Sequence, residues 1–193
     1  APTITIQSHS DDTEMLEGYT ESFRAQASDD DHDFEDLEVA WFVGEQEVCA
    51  WEIVSSAGEA FCEIVFTPDD TSVVAEVRDV QGAGGRDEIN ITVASTEAPV
   101  VEILSPVNTN NYYADQLIQF SAILSDAEDL PEDLIAVWSS NIDGELDLNN
   151  TPDSSGEISD FSYLSEGEHA IQLLVEDTTG KTTSEELVII VGG

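Results

Sequence analysis

Two stretches of this chain gather groups able to bind a hard cation. "SDDDHDFEDL" (Ser28–Leu37) carries six carboxylates in ten residues, and "SDAEDLPEDL" (Ser125–Leu134) carries five. Each runs into an apolar segment ending in tryptophan, "EVAW" and "IAVW". Carboxylates held about 4 Å apart repel by about 4 kcal/mol at an effective dielectric near 20. A divalent cation relieves that repulsion. Calcium suits such a set because it takes about six to eight oxygen ligands in a flexible geometry, whereas magnesium demands a tighter octahedron. The spacing Asp126-x-Glu128-Asp129 offers several oxygens from one loop, with Asp133 following. No EF-hand loop is present to sharpen the pattern. A charge run in a loop can also be simply solvated, or belong to a surface adapted to high salt.

The composition sets the frame. There are 43 acidic residues against 4 basic ones, a formal net charge of −39. Such a field repels nucleic acid and anionic membranes and attracts cations. The chain is 40% hydrophobic, in short Val-, Ile- and Phe-rich runs, which is enough to build cores and unlike a disordered acidic tail. No run reaches the roughly 18–20 apolar residues of a membrane helix, so direct membrane insertion is not expected.

The chain repeats itself at an offset of 97 residues. "APTITIQS" (Ala1–Ser8) falls on "APVVEILS" (Ala98–Ser105), and "SFRAQASDDDHDFEDLEVAW" (Ser22–Trp41) on "QFSAILSDAEDLPEDLIAVW" (Gln119–Trp138) without a gap. After a one-residue shift, Val73–Val93 falls on Ile171–Val191. Two copies of one module therefore account for nearly the whole chain, with boundaries at 1–96 and 97–193. Within each copy, apolar and polar residues alternate in "TITIQS", "SFRAQAS", "CEIVF" and "EINITV", and turn signals separate the runs. Short strands at this spacing predict an all-β protein of two tandem seven-stranded sandwiches. Trp41, Trp138, Phe23, Phe66, Phe120 and Phe161 are expected in the cores.

Lettering the seven strands A to G, alternation of direction puts the B–C and F–G loops of each copy at the pole where its first strand begins. In the second copy that pole faces the linker "STEAP" (Ser95–Pro99). Glu97, Asp126, Glu128, Asp129, Asp133 and Asp177 are thus the expected calcium ligands at the junction between copies. The first copy keeps part of the set, so a second calcium site is expected at its own pole from Asp29, Asp31 and Asp36 of its B–C loop and Asp79 of its F–G loop, with His32 at the position of Asp129. Cys49 and Cys62 lie symmetrically about a turn at Ser55–Ser56, so a disulfide across a hairpin is expected. That bond places the chain in an oxidising compartment.

The second copy resembles the bacterial and archaeal immunoglobulin-like repeats (PKD-like and cadherin-like) of extracellular surface proteins. The likeness rests on "SDAEDLPEDLIAVWSSNIDGELD" and "GEHAIQLLVEDTTGKTTSEELVIIV". The first copy departs from it, with "WFVGEQEVCAW" in place of the "WSS…DG" turn. The resemblance implies an immunoglobulin-like fold and an extracellular or cell-surface stalk, adhesin or filament module, often stiffened by calcium and rarely catalytic. Its partners would be copies of itself or neighbouring immunoglobulin-like repeats. Catalysis is not expected from the residues either: G-x-S-x-G is absent, loop acids on a solvated pole do not make a glycosidase pair, and His9, His32 and His169 read as surface residues. The alternative is a glycan-binding module, with Trp51, Tyr112 and Tyr113 as candidate contacts to surface glycans. Two sequons, at Asn90 and Asn149, permit glycosylation.

Overall fold

A computed structural model describes all 193 residues, which form two compact units, Ala1–Thr96 and Glu97–Gly193. The first unit contains β1 (Thr3–Ile6), β2 (Thr13–Leu16), β3 (Thr20–Ser28), β4 (Leu37–Val43), β5 (Gln46–Ile53), β6 (Glu59–Val65), β7 (Ser72–Asp79) and β8 (Gly84–Ala94). They build a three-stranded sheet, β1-β3-β6, facing a five-stranded one, β2-β8-β7-β4-β5. The second unit contains β9 (Val100–Ser105), β10 (Tyr112–Tyr113), β11 (Ile118–Ser125), β12 (Ile135–Ser140), β13 (Gly144–Glu145), β14 (Glu157–Ser162), β15 (Gly167–Glu176) and β16 (Thr182–Gly192). Its sheets, β14-β11-β9 and β10-β16-β15-β12-β13, repeat the same order. The protein is all-β, two immunoglobulin-like sandwiches in tandem. No helix is long and apolar enough to cross a membrane.

Each unit has eight strand segments rather than seven, because its first strand is shared between the two sheets. β1 pairs antiparallel with β3, and then the chain crosses over so that β2 runs parallel to β8. β9 and β10 do the same against β11 and β16. A carboxylate from the last strand takes a leftover backbone donor of the first: Ile6 N–H, at the end of β1, donates to Asp87 Oδ2 at 2.7 Å, and Ile103 N–H, at the register shift between β9 and β11, to Glu185 Oε2 at 2.7 Å. A buried N–H without an acceptor is costly, so the acid at this position helps the first strand leave its ladder.

The cores follow the alternation. Phe23 stands edge-on to Trp41 at 6.0 Å and to Phe66 at 5.8 Å, and Phe120 stands edge-on to Trp138 at 5.3 Å. All five rings are buried. Phe161 is the exception to the sequence expectation, being 55% exposed. Along β14, Ile158 faces the core, and the period of two turns Phe161 outward with Glu157 and Ser159.

Cys49 and Cys62 are bonded, but not across a hairpin ladder. β5 pairs with β4 and β6 pairs with β3, so the turn between them passes from one sheet to the other. The bond therefore joins the two sheets at their facing edges. The turn closes on Gly58, whose φ of 79° and the Ala27 carbonyl, 2.7 Å from where a Cβ would stand, leave no room for a side chain. The second unit has no cysteine at this edge. There Leu146 N–H donates to Trp138 O at 2.9 Å, and Leu146 and Leu148 pack on the core instead.

Closing a loop of this length stabilises a chain by about 3 kcal/mol in the loop-entropy description. Cys49→Ala/Cys62→Ala is therefore expected to lower the stability of the first unit by about 2–4 kcal/mol and to leave the second unit's transition unchanged. Calorimetry on the two-unit chain in reducing and non-reducing buffer checks this.

Candidate cation-binding loops

In the first unit the β3–β4 loop meets the β7–β8 hairpin. Asp79 ends β7 and caps the hairpin: its Oδ1 accepts from Gln81 N–H at 2.8 Å and Ala83 N–H at 3.0 Å. Asp29 follows β3, and its Oδ1 accepts from Asp31 N–H at 2.7 Å. That backbone donor, with smaller help from the nearby amino terminus and His32, holds the Asp29 carboxyl below the ordinary carboxylate range against the opposing effect of burial. His32 completes the group. Ligand atoms of Asp29, His32 and Asp79 all lie within 4.8 Å of one another. Asp31 supplies a backbone donor here, and Asp36 sits in the 3-10 turn Phe34–Asp36; neither carboxylate belongs to the converging group.

The second unit brings the matching loops together differently. Asp177 Oδ1 caps its hairpin, accepting from Thr179 N–H and Oγ1–H at 2.8 Å each and from Lys181 N–H at 2.9 Å. Asp126 Oδ1 accepts from Glu128 N–H at 2.9 Å and Asp129 N–H at 3.0 Å. Asp129 reaches the hairpin itself: Thr178 donates its hydroxyl to Oδ1 at 2.7 Å and its N–H to Oδ2 at 3.0 Å. Glu97 donates its backbone N–H to Glu128 Oε2 at 3.2 Å, which ties the linker residue to this loop. Asp133 is exposed in the 3-10 turn Pro131–Asp133. Asp126 Oδ2 is buried and has no hydrogen-bond partner.

The histidines are not the surface residues expected. His9 packs on Phe23 with ring centroids 4.3 Å apart. His32 is 13% exposed in the loop cluster. His169 is fully buried, and its place on β15 alternates with Ile171, Leu173 and Val175, a signal already present in "EHAIQLLVE". Its Nε2 faces the Ser165 carbonyl at 2.8 Å and so carries the proton, which leaves Nδ1 to accept from Ser140 Oγ–H at 2.7 Å. Asp143 Oδ2 lies 3.8 Å from Nδ1. These are the residue types of a hydrolytic triad, but Ser140 Oγ is buried under Ile142 N–H and Asp143 N–H at 3.2 and 3.4 Å. The trio locks the turn after β12 rather than presenting a nucleophile.

The candidate glycan contacts separate. Trp51 is half-buried, with the Arg78 guanidinium 4.1 Å above its ring, and Arg78 also binds Glu38 Oε2. Tyr112 turns its hydroxyl back to Val107 N and O at 2.8 and 3.1 Å. Tyr113 is 44% exposed and borders a cleft with Asn108, Asn111, Glu168 and Ile190. Asn90 and Asn149 are both exposed; Asn90 Nδ2 donates to Asp11 Oδ1 at 3.0 Å and Asn149 Nδ2 to Thr151 O at 3.0 Å.

No protein-family model and no curated protein matches this sequence. Among solved structures, the chain is similar to the fibronectin(III)-like modules of Clostridium thermocellum CbhA (16% identical, covering 98% of this chain and 94% of that one, TM-score 0.46). It is also similar to a chimeric titin Z1Z2 (13% identical, covering 98% and 97%, TM-score 0.41) and to the tandem Ig repeats of Dlar (13% identical, covering 97% and 97%, TM-score 0.33).

Replacing His169 by alanine leaves the Ser165 carbonyl without its donor and opens a cavity, so His169→Ala is expected to cost about 2–4 kcal/mol. Ser165→Ala, which keeps that carbonyl, is expected to cost under about 1 kcal/mol. Urea unfolding of both variants checks the contrast.

Proposed function

We propose that this chain is a non-catalytic, extracellular structural module of a surface adhesin, stalk or filament. Calcium stiffens the linker end of its second unit, and the module joins end to end with copies of itself or with neighbouring immunoglobulin-like repeats. The observation that carries the cation part is Asp126 Oδ2, a buried carboxylate oxygen with no donor. Such a group calls for an ion or water, and in a chain of charge −39 a cation is the occupant the field favours. In this reading Glu128 and Asp133 of the same loop, Asp177 of the neighbouring hairpin and Glu97 of the linker are the further candidate oxygen donors. Asp129 is the least available, since Thr178 already engages both of its oxygens. The disulfide supports an oxidising, extracellular setting.

The test is a thermal melt with small-angle scattering, in calcium and in chelator, on the wild type and on Asp126→Asn/Asp177→Asn. Calcium is expected to raise the second unit's midpoint by several degrees and to narrow the distribution of particle dimensions in the wild type alone. Identical curves in all four conditions would leave the acidity as solvation or salt adaptation.

A second reading, glycan binding, is favoured by Tyr113, which stands exposed beside asparagine side chains at a cleft. Retention of the chain on immobilised glycans, lost in Tyr113→Ala and kept in Trp51→Ala, is the pattern it requires.

A further inference from the structure

We propose that the first unit binds a divalent transition-metal ion of the zinc class between Asp29, His32 and Asp79. This site is separate from the calcium assigned to the second unit and does not depend on it. His32 Nδ1 lies 3.6 Å from Asp29 Oδ1 and 3.9 Å from Asp79 Oδ2. Both distances exceed a hydrogen bond. They approach the spacing of about 3.3 Å between two ligands of a tetrahedral ion with bonds of about 2.0–2.1 Å. Two atoms of the group are buried without any hydrogen bond, His32 Nδ1 and Asp29 Oδ2. The Asp29 side chain is fully buried, and the Ala1 amino group approaches its Oδ2 only to 3.6 Å. An imidazole nitrogen turned toward two carboxylates and bonded to neither lacks a central partner.

The surroundings hold the ligands in place from outside. Asp79 divides its oxygens, Oδ1 accepting from Gln81 and Ala83 N–H and Oδ2 turned towards His32, while Asp29 Oδ1, the oxygen nearest His32, is also fixed by Asp31 N–H. Gln81 places its side-chain amide 3.3 Å from His32 Nε2. With Nδ1 on the ion, Nε2 carries the proton and the amide presents its oxygen, an orientation the ring's other nitrogen demands of a metal-bound histidine. The repeat explains why this arises in one unit only. Asp129, at the position of His32, is held by Thr178; at the position of Thr178 the first unit has Val80, which offers no hydroxyl. The choice of ion follows from the donors. Imidazole with two carboxylates suits zinc and its neighbours, whereas calcium requires an all-oxygen cage of higher coordination number.

The experiment uses the whole chain, stripped with chelator and titrated with zinc chloride in about 0.15 M salt containing excess calcium, which screens diffuse binding to the acidic surface. The ring resonances of His32, followed by nitrogen-15 correlation spectra, are expected to shift at one equivalent while those of His9 and His169 stay in place; this readout needs no variant. By calorimetry, His32→Ala is expected to weaken zinc binding at least about tenfold, with an unchanged melt in chelator. His32→Asp, which installs the second unit's residue, is expected to lose zinc preference over calcium. The proposal is overturned if zinc leaves the His32 resonances unmoved, if His32→Ala binds as tightly as the wild type, or if calcium displaces zinc from the wild-type site.

Discussion

The chain has 43 carboxylates and only four lysine or arginine side chains to meet them. Its carboxylates must therefore be satisfied by backbone N–H groups, hydroxyls or ions, and much of the architecture is the outcome. Asp87 and Glu185 take leftover donors of the first strands, Asp79 and Asp177 cap the hairpins, and Asp126 and Asp29 close their own loops. Asp153 does the same before β14: the Ser155 hydroxyl first, then the Ser155 and Glu157 N–H groups, hold its carboxyl below the ordinary range. A charge-assisted bond from a backbone donor is stronger than a neutral one, so a chain poor in cations can still order its loops.

The fold was legible because the two determinants of a sandwich are both local: a period of two along each strand, and turn residues between strands. Repetition at a fixed offset doubled that signal. Two features needed the third dimension, and a third was a local signal passed over. The first strand is shared between sheets, and the backbone donor it leaves over is met by a carboxylate some eighty residues away in the chain (Asp87 for Ile6). The partners of Cys49 and Cys62 in their own sheets, β4 and β3, lie outside the turn that suggested a hairpin. Phe161 looked like core by its side chain, whereas its strand parity sent it outward.

The loop cluster was legible in part. Strand direction brings the B–C and F–G loops together, as the contacts of Asp79 with His32 and of Thr178 with Asp129 show. Composition could not say which acids would face inward, because each loop turns on its own Asx-type hydrogen bonds. It also gave no weight to His32, although aligning the two copies sets that histidine against Asp129. Identical scaffolds thus carry unlike poles, and the difference resides in two positions, His32 with Val80 against Asp129 with Thr178.

The bond between Cys49 and Cys62 has a mechanical consequence. A tensile load applied through the chain ends can extend an unfolded immunoglobulin-like unit only along the residues between its anchor points. In the first unit the 13-residue separation bridged by sulfur stays shut. Once pulled open, that unit yields a contour roughly 40 Å shorter than an unbridged one of the same length, so the two halves of the tandem extend unequally under force.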